Sequence, residues 1–279
     1  MRMVLHIGTA GVPLSTESRK TLDGITQVKT LGLNAMELEF VRQVYVKSNE
    51  EAKEIGAFAK KEGVALSIHA PYFINLNSPD RKTLDASRKR IVDCARVGHY
   101  AGARNIVIHS AYYMKMDKNE VYERVKAQYI QLRKELAELG YDDVVLRPEL
   151  MGKFTQFADI DVLVKMCAEV EGVLPCVDFA HYTAMHPDRN TYEGFCNVLK
   201  LIEDTLGKSA LKDMHIHFSG INYTEKGERN HLVFDEAEID WKAMVKSWKE
   251  YKIEGIAISE SPNIEGDALK AKKYYDSLQ

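Results

Sequence analysis

Val173-Leu174-Pro175-Cys176-Val177-Asp178-Phe179-Ala180-His181 is a short apolar run that gives out into a carboxylate and, three residues later, an imidazole. A run of this length reads as a buried strand, so two side chains of metal-ligand type stand at its C-terminal end. Alone, the pair suits an Asp capping the next turn and a surface His equally well. The rest of the chain favours ligands, because the same arrangement recurs. Apolar and β-branched runs lie at Met3–Ile7, Ala35–Phe40, Ala65–His69, Asn105–His109, Asp143–Glu149, Leu174–Asp178, Met214–Phe218 and Gly255–Glu260. Between them, helical periodicity marks Ser48–Glu62, Leu84–Ala101, Lys118–Leu139, Ile160–Glu171, Tyr192–Leu206 and Trp241–Glu250.

Strand alternating with helix implies parallel strands joined by right-handed crossovers. The closed (βα)8 barrel, an α/β TIM barrel, fits better than a doubly wound open sheet, since no Gly-x-Gly-x-x-Gly turn follows any run. The 279 residues suit one such barrel, and no linker or charge block divides them, so residues 1–279 read as a single domain. With 45% hydrophobic and 28% charged residues, neither disorder nor a fibrous class is indicated. No apolar run is long enough to span a bilayer and the N-terminus lacks a long apolar signal core, so a cytoplasmic location without a membrane partner is expected. Cys94, Cys167, Cys176 and Cys196 form no Cys-x-x-Cys pair, which argues against a disulfide framework and a thiolate zinc site. A net charge of −3 argues against general nucleic-acid affinity and leaves room for a local positive rim.

Parallel barrels place their active sites at the C-terminal strand ends. Those ends read Ser67-Ile68-His69-Ala70-Pro71-Tyr72, Ile108-His109-Ser110, Arg147-Pro148-Glu149-Leu150, Asp178 with His181, Met214-His215-Ile216-His217, and Ile258-Ser259-Glu260-Ser261-Pro262. Burying so many ionisable groups in one mouth without partners would be costly, and metal ions resolve the conflict. Imidazole and carboxylate without thiolate suit Zn²⁺, Mn²⁺ or Fe²⁺, and these ligands outnumber what one ion can hold. Alternation sends His215 and His217 to the same side, so spacing does not choose between them. Further on, Glu228-Arg229-Asn230-His231 echoes the spacing of Asp178 and His181 and offers a further site across the mouth. His6, His99 and His186 read as structural or solvated.

The strings His69-Ala70-Pro71-Tyr72-Phe73-Ile74-Asn75-Leu76, Ile108-His109, Glu149, Asp178-Phe179-Ala180-His181, Leu211-Lys212-Asp213-Met214-His215 and Ser259-Glu260-Ser261-Pro262 resemble those of the endonuclease IV family. These are zinc-dependent apurinic/apyrimidinic endonucleases on a xylose-isomerase-like TIM barrel. The resemblance runs from Ile7-Gly8 to Pro262. It implies a trinuclear zinc centre, with manganese or another divalent metal as a substitute. His69 and His109 would hold one ion, and Glu149 would bridge it to a second held by Asp178, His215 and Glu260. His181 and His231 would hold the third, with Glu228 where the family has an aspartate. His217 is then left behind the ligands or at the rim.

Glu149 is the implied catalytic residue. The implied reaction is incision of double-stranded DNA on the 5′ side of abasic sites, as in base excision repair. Arg42, Gln43, Tyr72 and Phe73 would enter the helix and hold the sugar out of it. Lys47, Arg81, Lys82, Lys115 and Lys153 fall in or near these loops as a basic rim. Three features depart from the family: Glu228 and His231 are one residue farther apart than its Asp-x-His pair, Ser110-Ala111 follow His109, and Arg147-Pro148 precede Glu149 where apolar residues are expected. A sugar isomerase or epimerase of the same superfamily is the rival reading, needing only Glu149, Asp178, His215 and Glu260 around one divalent ion. His69, His109, His181 and His231 favour the nuclease. A monomer is expected.

Overall fold

A computed structural model describes residues 4–278, so the expected strand start at Met3 lies outside the described residues. The barrel strands are β1 (Leu5–Ala10), β2 (Ala35–Glu39), β3 (Ala65–His69), β4 (Asn105–Ile108), β5 (Val145–Pro148), β6 (Cys176–Asp178), β7 (Met214–Phe218) and β8 (Gly255–Ser259). They form one parallel sheet of eight strands in the order β5-β4-β3-β2-β1-β8-β7-β6. Parallel bridges from Leu146 to Val173 and from Glu149 to Cys176 join its two edges, so the sheet curls into a nearly closed barrel. The run expected from Leu174 becomes a strand only at Cys176, because Pro175 has no N–H for the ladder.

The outer helices follow the apolar periodicity, with Tyr192–Leu206 and Trp241–Glu250 lying where it predicts them. Their starts are fixed by side-chain caps: Ser48 accepts from the Glu51 N–H, Asp80 from Thr83, Thr191 from Gly194 and Asp240 from Ala243. Three helices lack the apolar periodicity that marks the others. Thr21–Thr30 is broken up by threonines and a glycine, Glu265–Ser277 is lysine-rich, and Phe179–Met185 is a short helix buried almost throughout. Among the described residues no helix is long and apolar enough to cross a membrane.

Arg147 lies inside the barrel almost wholly buried. It donates to Asn105 Oδ1 at 2.8 Å, and to the Asp213 carbonyl and carboxylate at 2.8 and 2.9 Å. An arginine can stand among apolar residues there because its fork is met by acceptors on three sides. At Gly8 the backbones of β1 and β2 come so close that an added Cβ would sit 1.7 Å from the Ala35 carbonyl oxygen. Gly8→Ala is therefore expected to destabilise the fold by about 3 kcal/mol, read as a lower denaturant midpoint at unchanged m-value.

Two small ribbons stand on the C-terminal rim. Ala111–Tyr112 pairs with Gln156–Phe157, and Gly220–Thr224 pairs with Gly227–Leu232 as a hairpin. A bridge from Lys153 to Gly227 ties the hairpin to the loop after β5. The approach is tight: Gly227 has φ +92°, and a Cβ on it would meet the Gly152 carbonyl oxygen at 2.3 Å.

Candidate metal centre

Register decides which side chains meet at the mouth. Asp178 is paired level with His217, whereas His215 is level with Cys176, one layer deeper. Two residues along a strand amount to a rise of roughly 6.6 Å, and that step separates the two histidines. His217 Nδ1 lies 3.6 Å from Glu149 Oε1 and 3.4 Å from Glu260 Oε1. His215, the expected ligand, stands apart from the strand-end carboxylates: its Nε2 bonds Glu37 at 3.0 Å, its Nδ1 is buried without a partner, and with Cys176 and His217 it forms a deeper group that could also hold a metal ion. Burial lowers the His215 pKa, in keeping with a neutral ring packed beneath the centre.

The other expected ligands fall into three overlapping groups that could hold metal ions: His69, His109 and Glu149; Glu149, Asp178, His217 and Glu260; and Asp178, His181 and His231. Glu149 joins the first two groups, with Oε2 3.3 Å from His69 Nε2 and 3.0 Å from His109 Nε2. Asp178 joins the last two. One of its oxygens accepts the His181 backbone N–H at 2.7 Å, capping the short helix, while its Oδ2 is buried without a partner. The helix-cap and ligand readings of this residue thus coexist, one oxygen for each.

His181 Nε2 and His231 Nε2 stand 3.2 Å apart, and Glu228 Oε2 is 3.5 Å from His181 Nε2. Residues three apart on a flat strand face opposite ways. A register shift between Asn222 and Tyr223 bends the hairpin, and Glu228 and His231 both lie beside His181. Glu228 is thus adjacent to this group rather than part of it, and it also lies 3.8 Å from Lys153 Nζ.

The proton positions follow from the outer partners. Carbonyl oxygens only accept, so Nδ1 carries the proton in His69 (to Ala70 O, 2.8 Å), His181 (to Leu150 O, 2.8 Å) and His231 (to Glu260 O, 3.3 Å). In His217 it is Nε2 that donates, to Glu37 Oε1 at 2.8 Å. Burial opposes charge on Glu37, but His217 and His215 hold its carboxyl well below the usual carboxylate range. The other ring nitrogen of each of these four histidines is then a lone pair directed at carboxylate oxygens or at another lone pair.

Buried atoms without a hydrogen-bond partner gather at this spot: His69 Nε2, both oxygens of Glu149, Asp178 Oδ2 and His217 Nδ1. Such an arrangement is repulsive unless cations lie between the donors, so the residues fit divalent metal ions. Protons are the substitute. Burial lowers the His69 pKa, but Glu39 and Glu149 push it up to about 10; for His181, Asp178 and Glu149 overcome burial to the same extent.

Glu37 and Glu39 are buried carboxylates beside the centre that the strand-end reading missed. Their signal is the alternation Met36-Glu37-Leu38-Glu39, which puts both carboxylates on one face of β2. Glu37 also accepts from Ser67 Oγ at 2.7 Å. Glu39, level with His69, has a buried Oε1 without a partner, and burial raises its pKa to about 8. Both line a cavity of about 900 Å³ shared with Thr21, Tyr45 and Ile264.

Of the expected DNA contacts, Tyr72 sits nearest the centre, its ring 5.1 Å from the rings of both His69 and His109. Phe73 is exposed beside it. Arg42 and Gln43 are exposed in the loop after β2, outside the ligand groups. His99 and His186 pair with Asp143 and Asp159, also outside these groups.

The chain matches the family described as "Xylose isomerase-like TIM barrel" over residues 25–278. An uncharacterized protein of Methanocaldococcus jannaschii is 40% identical over 279 residues, 99% of this chain and 98% of its own. A probable endonuclease 4 of Chlorobium phaeobacteroides is 24% identical over 153 residues, 53% of either chain. Among solved structures, endonuclease IV from Thermus thermophilus superposes with a TM-score of 0.71 at 15% identity, covering 97% of this chain and 100% of that one. A D-tagatose 3-epimerase-like protein gives 0.70 at 19% identity and covers 96% of both. At these identities the structural likeness speaks for the fold alone.

Proposed function

The chain belongs to the xylose isomerase-like TIM barrel family, and on that premise we propose that it is a zinc-dependent phosphodiesterase that cuts double-stranded DNA on the 5′ side of abasic sites. One observation carries this reading. His181 and His231 turn bare nitrogens toward each other at 3.2 Å, with Glu228 beside them, in a third ligand group that a one-ion sugar isomerase does not need. The distant sequence relation to a probable endonuclease 4 supports the same direction.

His69, His109 and Glu149 would hold one ion. Glu149, Asp178, His217 and Glu260 would hold the second, and His181 and His231, with Asp178 or Glu228, the third. Zinc suits these nitrogen and oxygen donors, with manganese the nearest substitute. Bound divalent ions would supply a water acidified toward neutral pH and positive charge for phosphate oxygens and the departing alkoxide.

The chain's own groups do the rest. Glu149 turns one oxygen to His69 and His109 and the other to His217, so it can orient a water between the first two groups. Glu37 keeps the His217 proton on Nε2 and its Nδ1 bare. Tyr72 shields the rings of His69 and His109, and Phe73, Arg42 and Gln43 are exposed toward an incoming duplex, where they would hold the lesion out of the stack. The proposed acting unit is a monomer.

A second reading, a sugar epimerase with one divalent ion, has its own supporting observation. The cavity lined by Glu37 and Glu39, to which none of the four ligands contributes, also bears Glu51 and Glu54 beside Arg19 and Lys20, and such a mixed polar lining suits a sugar's hydroxyls. Metal analysis and incubation with an abasic-site duplex separate the two readings. Protein purified without added metal is expected to carry about three zinc ions per chain and to leave a 3′-hydroxyl 5′ of the lesion. A single ion, ketose epimerisation and an intact duplex would overturn the nuclease.

A further inference from the structure

The geometry points to a second nucleic-acid contact: the ribbon built by the loops after β4 and β5 is a ledge for one strand of the substrate, with bases against Tyr112, Met114 and Phe154 and phosphates toward Lys115 and Lys153. This rests on the nuclease reading of the centre.

The three apolar side chains are 41%, 49% and 50% exposed, although the segments that carry them are firmly tied. Tyr112 pairs with Gln156, and the Tyr113 N–H donates to the Thr155 carbonyl at 2.9 Å. Asn77 donates to the Tyr112 carbonyl at 2.9 Å and Asn75 reaches the Met114 sulfur at 3.4 Å, which fastens the ribbon to the loop that bears Tyr72 and Phe73. On the other side, the Lys153–Gly227 bridge fastens it to the hairpin of the third ligand group. The ledge therefore continues from the rim of the metal centre.

Met114 and Lys115 are consecutive non-glycine residues in the left-handed region, at φ +51° and +61°. Backbone held in so disfavoured a conformation, with one side chain apolar and the other cationic, is the kind of strain found where a surface is shaped for contact. Among the described residues Lys115 makes no ion pair, and the one carboxylate near Lys153 is Glu228, at 3.8 Å. Flat or polarisable side chains interleaved with lysines match a polyanion whose bases offer π-faces, and stacking on such residues is tolerant of sequence.

The test is fluorescence anisotropy of labelled abasic and undamaged duplexes, across a salt series, with the metal-loaded full chain. Tyr112→Ala/Phe154→Ala is expected to weaken binding about 10- to 100-fold at an unchanged salt slope. Lys115→Ala/Lys153→Ala is expected to reduce the slope of log K against log salt by roughly 2. Unaltered metal content and melting temperature in both variants would tie the losses to the ledge. Wild-type affinity and slope in both variants would overturn the ledge and leave the nuclease standing, whereas a wild-type chain that binds neither duplex overturns both. A dimer in light scattering that dissociates in the aromatic variant would also overturn the ledge, making this face a contact between two copies of the chain.

Discussion

Glu149→Ala is expected to lower single-turnover incision of an abasic duplex roughly ten-thousand-fold, with loss of bound metal. No other side chain belongs to both of the first two ligand groups with both of its oxygens engaged. Its Oε2 faces the imidazoles of His69 and His109 and its Oε1 those of His181 and His217, at 3.3 and 3.6 Å, and the residue is fully buried. Removing it takes away a shared ligand and the group that orients the attacking water, so the two losses compound instead of adding. Glu149→Gln keeps the volume and serves as the control for packing. Incision by the Ala variant near the wild-type rate, with metals loaded, would sink the reading.

The second large effect separates two histidines that the sequence leaves side by side. His217→Ala is expected to release one divalent ion per chain and to slow incision about a thousand-fold. His215→Ala should keep the full metal complement and lose activity only about 10- to 100-fold, because it loosens Glu37, which orients His217. Zinc content and incision rate measured on both variants decide the matter. The reverse pattern, with the ion lost from His215→Ala and retained in His217→Ala, would restore the assignment drawn from family resemblance.

The barrel is legible because each strand is a compact apolar run and six of the eight strand ends bear a histidine or a carboxylate in the sequence. His69 closing β3 and Asp178 closing β6 needed no more than that. What was not legible depends on relations between strands. His215 and His217 share a face, and only the pairing of β6 with β7 shows which one is level with Asp178. Glu37 and Glu39 alternate in plain view, yet β2 has no histidine to draw attention to its end, and their partners arrive from β3 and β7. The wide spacing of Glu228 and His231 is matched by the register shift in the hairpin, which the sequence does not reveal. Arg147 looked out of place for the same reason, since its acceptors lie 42 and 66 residues away along the chain.

The tie between Gly152 and Gly227 gives the three ligand groups unequal lifetimes. His69, His109, Glu149, His217 and Glu260 stand on or next to barrel strands, so the backbone that holds an ion among them moves only with the barrel itself. His231 belongs to a hairpin outside the barrel core, held by a bridge and a backbone hydrogen bond to the loop after β5 and by Ile221 packed on Ala180 and Ala184 of the short helix. Opening that hairpin costs local contacts rather than the core, so residence of the third ion is governed by a small, fast fluctuation. The protein would then shed and regain the third ion more readily than the other two.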